Sequence, residues 1–123
     1  MKKILFIEDE ESLQKAMGSM LESKGFEIFK ALNGEDGIKT AEKVMPDLIL
    51  LDLILPKKNG FEVLTDLKKS PITKDIPVIV LTNLEGSSDV ERALTSGATT
   101  YLVKANYTLQ DIMAKIDAVL AHK

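Results

Sequence analysis

The sequence predicts a three-layer α/β domain in which helices cover both faces of a five-stranded parallel sheet. Five short apolar segments alternate with five stretches whose apolar residues recur at helical spacing. Residues 47–56 are almost continuously apolar between a bounding aspartate and a proline, which suits a central strand buried on both faces. Connections of this length join parallel strands by right-handed crossovers, and no linker, low-complexity tract or internal repeat interrupts the alternation.

The first half of the chain contains the first two predicted strands and helices. Residues 4–7 form a buried strand, and the helix after it ends at Gly25. Residues 26–31 alternate between apolar and polar, which indicates a half-exposed edge strand. Asn33 is placed to cap the second helix, which ends before Pro46. The apolar positions are Leu13, Ala16, Met17, Met20 and Leu21 in the first helix, and Ile38, Ala41 and Val44 in the second.

The central strand is followed by a third helix and a fourth strand. The helix begins after Asn59-Gly60 and is interrupted by Ser70-Pro71. Its apolar positions are Phe61, Val63, Leu64 and Leu67. The fourth strand covers residues 76–81, with a proline near its start, where a missing N–H donor is tolerated.

The last two helices carry sequence signals for capping. Ser88 and Glu91 have the spacing of a capping box, which predicts that the fourth helix begins after Ser88. Residues 100–103 form the fifth strand. Thr108 and Asp111 then predict a second capping box for the final helix.

Length and composition indicate a single domain over residues 1–123 and exclude several classes of protein. A hydrophobic content of 45% with 28% charged residues is ordinary for a globular protein with its own core. The absence of cysteine excludes disulfides, thiolate metal sites and a cysteine nucleophile. A net charge of -3 gives no general attraction to nucleic acid or to anionic membranes. The short apolar run near the N-terminus does not resemble a signal peptide.

Polar side chains stand at the ends of four predicted strands. Glu8 and Asp9 follow strand one, Asp52 lies in the central strand, Thr82 ends strand four, and Lys104 follows strand five. In the flavodoxin-like strand order 2-1-3-4-5 these four strands are neighbours, and their carboxyl ends meet at the edge where open α/β sheets bind ligands. We therefore expect the five side chains to lie together.

Such a cluster has the composition of a site for phosphoryl transfer. Three neighbouring carboxylates stay ionised only when a cation balances them, and oxygen ligands without histidine suit Mg²⁺. A carboxylate beside Mg²⁺, an ammonium group and a hydroxyl can accept and stabilise a phosphoryl group. Three of these residues also have a simpler interpretation: Asp52 as a turn former before Pro56, Thr82 as a strand-end cap and Lys104 as a solvated cation. Tyr101, in the fifth strand, could likewise be only half-buried packing. Their joint placement favours phosphoryl transfer.

The whole chain resembles a receiver domain of the two-component response regulators, especially the small single-domain kind used in chemotaxis-type signalling. Each fragment that carries the resemblance is common by itself, but together they occur in the order and at the spacing of the family. The fragments are Glu8-Asp9 after Ile-Leu-Phe-Ile, Asp52 in Leu-Asp-Leu-Ile-Leu-Pro, Asn59-Gly60, Thr82 after Val-Ile-Val-Leu, Gly97-Ala98, and Tyr101-Leu-Val-Lys104.

The resemblance implies a role for each residue of the cluster. Asp52 is implied to be the phosphoacceptor, which attacks a phosphohistidine on a partner kinase. Asp9, Asp52 and the main-chain carbonyl of Ile54 are implied to bind Mg²⁺, with Glu8 acting mainly through a bound water. Lys104 is implied to pair first with Asp52 and then with a phosphoryl oxygen.

The resemblance also implies a switch and partners. Thr82 donates to another phosphoryl oxygen and is drawn inward, and the aromatic ring at Tyr101 then changes rotamer. These movements alter the surface of the fourth helix, fifth strand and fifth helix, which a downstream protein reads. The phosphodonor is expected to be a sensor histidine kinase or a phosphotransfer protein. We expect a cytoplasmic monomer that binds neither nucleic acid nor membrane directly, and the sequence leaves open a dimer formed on phosphorylation.

Several positions depart from the family pattern. Ala105 replaces the usual proline, which follows the lysine through a cis bond. A cis bond without proline costs about 3 kcal/mol, so either the bond is trans and the Lys104 loop is rearranged, or contacts of the site hold it cis, as we expect. Asn83 replaces a small residue and would narrow access for phosphate. Ile54 and Leu84 occupy the two positions that flank the phosphoryl group, and neither can orient a water by hydrogen bonding, which predicts slow loss of the phosphoryl group.

Other function classes fit less well. A phosphatase of the haloacid dehalogenase type would have a second aspartate two residues after the nucleophile, where this chain has Ile54. A flavin or nucleotide binder would have a glycine- or hydroxyl-rich loop after strand one, where residues 8–11 are all acidic. His122, to which we assign no role, is the only histidine, which argues against a phosphohistidine carrier or kinase domain. The remaining alternative is a receiver-like interaction module that works without phosphorylation.

Overall fold

A computed structural model of the chain, which describes residues 1–122, contains a five-stranded parallel sheet in the order β2-β1-β3-β4-β5. The strands are β1 Lys3–Ile7, β2 Glu27–Ala31, β3 Leu48–Leu51, β4 Val78–Thr82 and β5 Thr100–Val103. The helices are α1 Glu11–Ser23, α2 Gly34–Val44, α3 Gly60–Lys69, α4 Ser87–Thr95 and α5 Leu109–Ala121, and a 3₁₀ turn at Lys104–Asn106 follows β5. The predicted fold class and strand order are confirmed, and β2 is an edge strand as its alternating pattern predicted.

Two hydrophobic cores form because successive side chains of a strand point to opposite faces of the sheet. One core lies between the sheet and α2, α3 and α4, and the other lies between the sheet and α1 and α5. This burial on both faces explains why the inner strands are continuously apolar. The inner strands contribute Leu5, Ile7, Ile49, Leu51, Val78 and Val80 to the first core, and Ile4, Phe6, Leu48, Leu50, Ile79 and Leu81 to the second.

Side-chain caps fix the starts of three helices. The side chains of Asn33 and Asn59 accept hydrogen bonds from main-chain N–H groups in the first turns of α2 and α3. Thr108 and Asp111 form the reciprocal capping box that was predicted for α5. Each bond satisfies a donor that the helix itself leaves without a partner.

The predicted capping box of α4 is wrong. The helix begins at Ser87, so Ser88 lies inside it, and the N-cap position is occupied by Gly86, which makes no side-chain hydrogen bond. The Gly86 carbonyl instead accepts from the N–H groups of Asp89, at 3.0 Å, and Val90, at 3.1 Å. This main-chain turn sets the start of the helix before the serine-glutamate pair.

No helix within residues 1–122 is both long enough and apolar enough to span a bilayer.

Candidate functional site

The carboxyl ends of β1 and β3 bring the predicted acidic residues together. Ile7 pairs with Leu51 in the sheet, so Glu8 and Asp52 follow side by side, and the Asp52 N–H donates to the Ile7 carbonyl at 3.0 Å. One carboxylate oxygen from each of Glu8, Asp9 and Asp52 lies within 4.8 Å of the others. Glu8 and Asp52 are buried, whereas Asp9 is exposed at the rim. The site therefore has an enclosed side and a side open to solvent.

Lys104 provides the positive charge of this cluster. Its Nζ lies 2.6 Å from Glu8 Oε1, 2.9 Å from Asp52 Oδ2 and 3.9 Å from Glu10 Oε2. The prediction of a cis bond before Ala105 is wrong, because the Lys104–Ala105 peptide is trans. The chain makes a 3₁₀ turn here and still brings the ammonium group between the two buried carboxylates, so the cluster forms without the cost of a cis bond.

Burial dominates the electrostatics of Glu8. Its carboxyl group is fully buried, which raises its pKa from the ordinary 4.5 to about 7, and the charge of Asp52 acts in the same direction. Hydrogen bonds from Lys104 and from the Glu10 N–H oppose the rise in this pKa but do not cancel it. Burial lowers the pKa of Lys104, but hydrogen bonds to Glu8 and Asp52 outweigh burial, so this pKa is raised above its ordinary value. Lys104 is therefore held in its charged form.

The backbone next to Asp52 is shaped by close packing against the start of α3. The Ile54 N–H donates to Asp52 Oδ1 at 3.1 Å, and the Gly60 N–H donates to the Leu53 carbonyl at 3.0 Å. A side chain at Gly60 would collide with Leu53 Cα and the main-chain oxygen of Asp52. Glycine is needed here because α3 lies directly against the peptide that follows Asp52.

The loop after β4 connects the predicted switch residues. Thr82 is fully buried, and its Oγ1 accepts from the Leu84 N–H at 3.5 Å. The hydroxyl of the half-buried Tyr101 donates to the Leu84 carbonyl at 2.8 Å. Burial raises the pKa of Tyr101, and the charges of Asp89 and Asp52 add to this rise, so the phenol keeps the proton that it donates. Thr82 and Tyr101 thus both contact Leu84.

The donors of the cluster fit a hard divalent cation. Receiver domains in general bind Mg²⁺ at an acidic pocket, and Glu8, Asp9 and Asp52 supply three carboxylate oxygens in such an arrangement. The exposure of Asp9 leaves room for the water ligands that Mg²⁺ retains. The carbonyl of Ile54 as a further ligand stays a prediction.

Two residues near the cluster, Glu10 and Gln14, were not predicted from the sequence as part of the site. Glu10 lies 3.9 Å from Lys104 and donates its N–H to Glu8 Oε2 at 3.1 Å. Gln14 is buried in the first turns of α1, and its amide contacts the main chain around Glu8. A polar residue between Leu13 and Met17 on the apolar face of a helix was the available signal, since buried amides normally have hydrogen-bond partners.

Comparisons with known proteins agree with this geometry. A family model described as the response regulator receiver domain matches residues 4–117. Protein PilH of Pseudomonas aeruginosa is 35% identical over 121 residues, which are 98% of this chain and 99% of that protein. The DNA-binding dual master transcriptional regulator RpaA of Synechocystis is 37% identical over 120 residues. These residues are 98% of this chain but only 49%, about half, of that relative. A CheY-like response regulator receiver domain protein from Methanospirillum hungatei has a crystal structure that superposes with a TM-score of 0.93 at 25% identity, covering 99% of this chain and 95% of that one.

Proposed function

Because the chain belongs to the family of response regulator receiver domains, we propose that Asp52 accepts a phosphoryl group from a phosphohistidine donor. The chain is a receiver domain of two-component signalling, a signalling domain and not a classical enzyme. The observation that carries the proposal is the placement of Asp52, a buried carboxylate that Lys104 contacts on one oxygen and the Ile54 N–H on the other, beside Glu8 and Asp9.

The surroundings of the three acids favour Asp52 as the nucleophile. Both oxygens of Glu8 are engaged, one by Lys104 and the other by the Glu10 N–H, and its raised pKa keeps a large part of it protonated near neutral pH. Asp9 is exposed at the rim of the site, where it is better placed to bind a metal ion than to accept a phosphoryl group. Asp52 has a carboxylate oxygen within 4.8 Å of one from each of these two residues, and its Oδ2 lies 2.9 Å from the Lys104 ammonium group.

The proposed reaction is a displacement at phosphorus. An Asp52 carboxylate oxygen attacks the phosphorus atom, a P–O bond forms, and the P–N bond to the imidazole breaks. The imidazole nitrogen leaves with the bonding electron pair and takes up a proton. Lys104 and the Thr82 hydroxyl each offer a donor to the phosphoryl oxygens. Mg²⁺, when held by Asp9, Asp52 and the Ile54 carbonyl, with Glu8 acting through water, supplies positive charge that balances the phosphoryl oxygens.

The contacts of Leu84 support a route from the acceptor to a partner surface. Drawing Thr82 towards a phosphoryl group would break its bond to the Leu84 N–H, and the same residue holds the Tyr101 hydroxyl through its carbonyl. We propose that this loop transmits the change to the surface of α4, β5 and α5. A histidine kinase or phosphotransfer protein is the proposed donor, and a downstream protein is the proposed reader of this surface.

Labelling with acetyl phosphate in Mg²⁺ tests the acceptor. The wild type is expected to gain one phosphoryl group by intact mass, and Asp52→Asn is expected to gain none while its circular dichroism spectrum stays unchanged. Asp75→Asn, which changes an exposed aspartate that is not in the cluster, is the matched control and should label normally. Labelling of Asp52→Asn at the wild-type level would assign the acceptor elsewhere. A wild type that neither binds Mg²⁺ nor labels would favour an interaction module that works without phosphorylation.

A further inference from the structure

We propose that Gln14 is a positioning residue for the Mg²⁺ site, because its buried amide holds the peptide that joins Glu8 to Asp9. This inference rests on the proposed function of the acidic cluster. Gln14 lies on α1 and is 4% exposed, although α1 otherwise buries only apolar side chains and a glycine.

The amide of Gln14 binds the main chain of two strands where their pairing ends. Its Nε2 lies 2.9 Å from the carbonyl oxygen of Phe6, 3.0 Å from that of Glu8 and 3.1 Å from that of Ala31, so its two N–H groups are shared among three acceptors. Ile7 and Ala31 are the last paired residues of β1 and β2, so the Glu8 carbonyl lies just beyond the ladder. Gln14 therefore provides a donor where the neighbouring strand no longer continues.

These contacts control the direction of Asp9. The Glu8 carbonyl belongs to the same rigid peptide plane as the Asp9 N–H, so fixing this carbonyl limits how the Asp9 side chain can point. The Glu8 N–H is fixed on its other side by the Ala31 carbonyl at 3.0 Å. Glu8 itself is further held through its side chain by Lys104 and Glu10, whereas Asp9 is exposed and depends on its backbone for orientation.

Substitution of Gln14 can separate an effect on Asp9 from an effect on folding. Within residues 1–122, Gln14 Oε1 is buried without a hydrogen-bond partner, so the side chain is held through its N–H groups only. Replacing it by methionine, which has a similar length and is apolar, removes the donor and also removes the unpaired oxygen. Losing the donor lowers the free energy of unfolding, and removing the unpaired oxygen raises it, so the two effects on stability oppose each other. The orientation of Asp9, in contrast, can only become less fixed.

The test compares Gln14→Met with Met17→Ala as a matched control. Met17 is fully buried on the same helix, in the core formed with Ile4 and Leu21, and is not among the contacts of the Glu8 carbonyl. Mg²⁺ alone is titrated into each folded ¹⁵N-labelled protein, the dissociation constant is read from the amide resonances of Glu8 and Asp9, and thermal stability is measured in parallel. Gln14→Met is expected to weaken Mg²⁺ binding by about tenfold, as is typical when a residue that orients a metal ligand is lost. Met17→Ala is expected to lower the melting temperature and keep the wild-type affinity.

Four results would overturn the inference. One is that Gln14→Met binds Mg²⁺ as tightly as the wild type. Another is that Met17→Ala loses as much Mg²⁺ affinity as Gln14→Met, which would mean that the loss of affinity follows from lower stability in general. Gln14→Leu provides a second apolar variant if the methionine variant does not fold, and wild-type affinity in that variant would have the same meaning. A wild-type chain that does not bind Mg²⁺ would overturn the proposed function as well. If the wild type binds Mg²⁺ and the variants do not differ from it, only the inference about Gln14 fails.

Discussion

Replacing Glu8 by glutamine is expected to stabilise the metal-free protein at alkaline pH but not at acidic pH. Burial raises the pKa of Glu8 from 4.5 to about 7 in the folded protein. A group with a raised pKa binds its proton more tightly in the folded state than in the unfolded state. Its contribution to stability is therefore fully present below pH 4.5 and is lost as the pH rises through about 7.

The size of this effect follows from the two pKa values. The interval from 4.5 to about 7, at roughly 1.4 kcal/mol per pH unit, corresponds to about 3 kcal/mol of unfolding free energy. Glutamine is neutral at every pH and removes this loss, but it also weakens the hydrogen bonding with the Glu10 N–H, which costs about 1 kcal/mol. Glu8→Gln should therefore be about 2 kcal/mol more stable than the wild type near pH 8.5, and about 1 kcal/mol less stable near pH 4.

Urea unfolding followed by circular dichroism at the two pH values, with a chelator present, measures this difference. Glu42→Gln, which changes an exposed glutamate on α2, is the control and should match the wild type at both pH values. Adding Mg²⁺ at the higher pH should stabilise the wild type more than Glu8→Gln, because the variant has one carboxylate fewer in the cluster. A Glu8→Gln difference that is the same at both pH values would refute the assignment of a buried, proton-binding Glu8.

Two further predictions concern the acceptor and the backbone beside it. The acyl phosphate on Asp52 should be lost slowly in Mg²⁺ after the phosphodonor is removed, because the apolar side chains of Ile54 and Leu84 cannot orient an attacking water, and decay within seconds would contradict this. Gly60→Ala should lower the unfolding free energy by about 1–3 kcal/mol, because the new methyl group would collide with the main chain of Asp52 and Leu53, and urea unfolding at the wild-type level would contradict that packing.

The strands and the location of the acidic cluster could be predicted because local patterns identify the strands, and the flavodoxin-like fold class supplies their order. A continuous apolar run indicates a strand buried on both faces, and an acidic residue at its end can be accommodated only at the sheet edge. Glu8 and Asp52 each follow such a run, and Lys104 follows the edge strand β5, so their proximity follows from the strand order. The helix caps at Asn33 and Thr108 were equally local, since each bond spans three residues.

The features that the sequence did not reveal depend on contacts between distant segments or on the local path of the main chain. The three carbonyls that Gln14 binds lie in or directly after two strands, up to 17 residues away, and no spacing in the sequence records which helix side chain reaches them. The start of α4 was misplaced because a main-chain turn at Gly86 closes the helix without the serine side chain. The bond after Lys104 is trans, and the sequence did not show that the lysine side chain could still reach Asp52 from the 3₁₀ turn that follows β5.

The pairing of Lys104 with both acids links the stability of the resting site to its proposed reaction. Replacing a buried charged cluster by apolar residues is often neutral or stabilising, so stability does not account for two buried carboxylates that share one ammonium group. If Asp52 were the only partner of Lys104, the ammonium group would be bound to one of the two carboxylate oxygens of the proposed acceptor and would have no other partner when it left that oxygen. Because Glu8 Oε1 lies 2.6 Å from Lys104 Nζ, Lys104 would keep one partner in the proposed reaction when it releases Asp52 Oδ2 and turns to a phosphoryl oxygen. The contact with Glu8 thus keeps the ammonium group in the place where the proposed phosphoryl charge would develop.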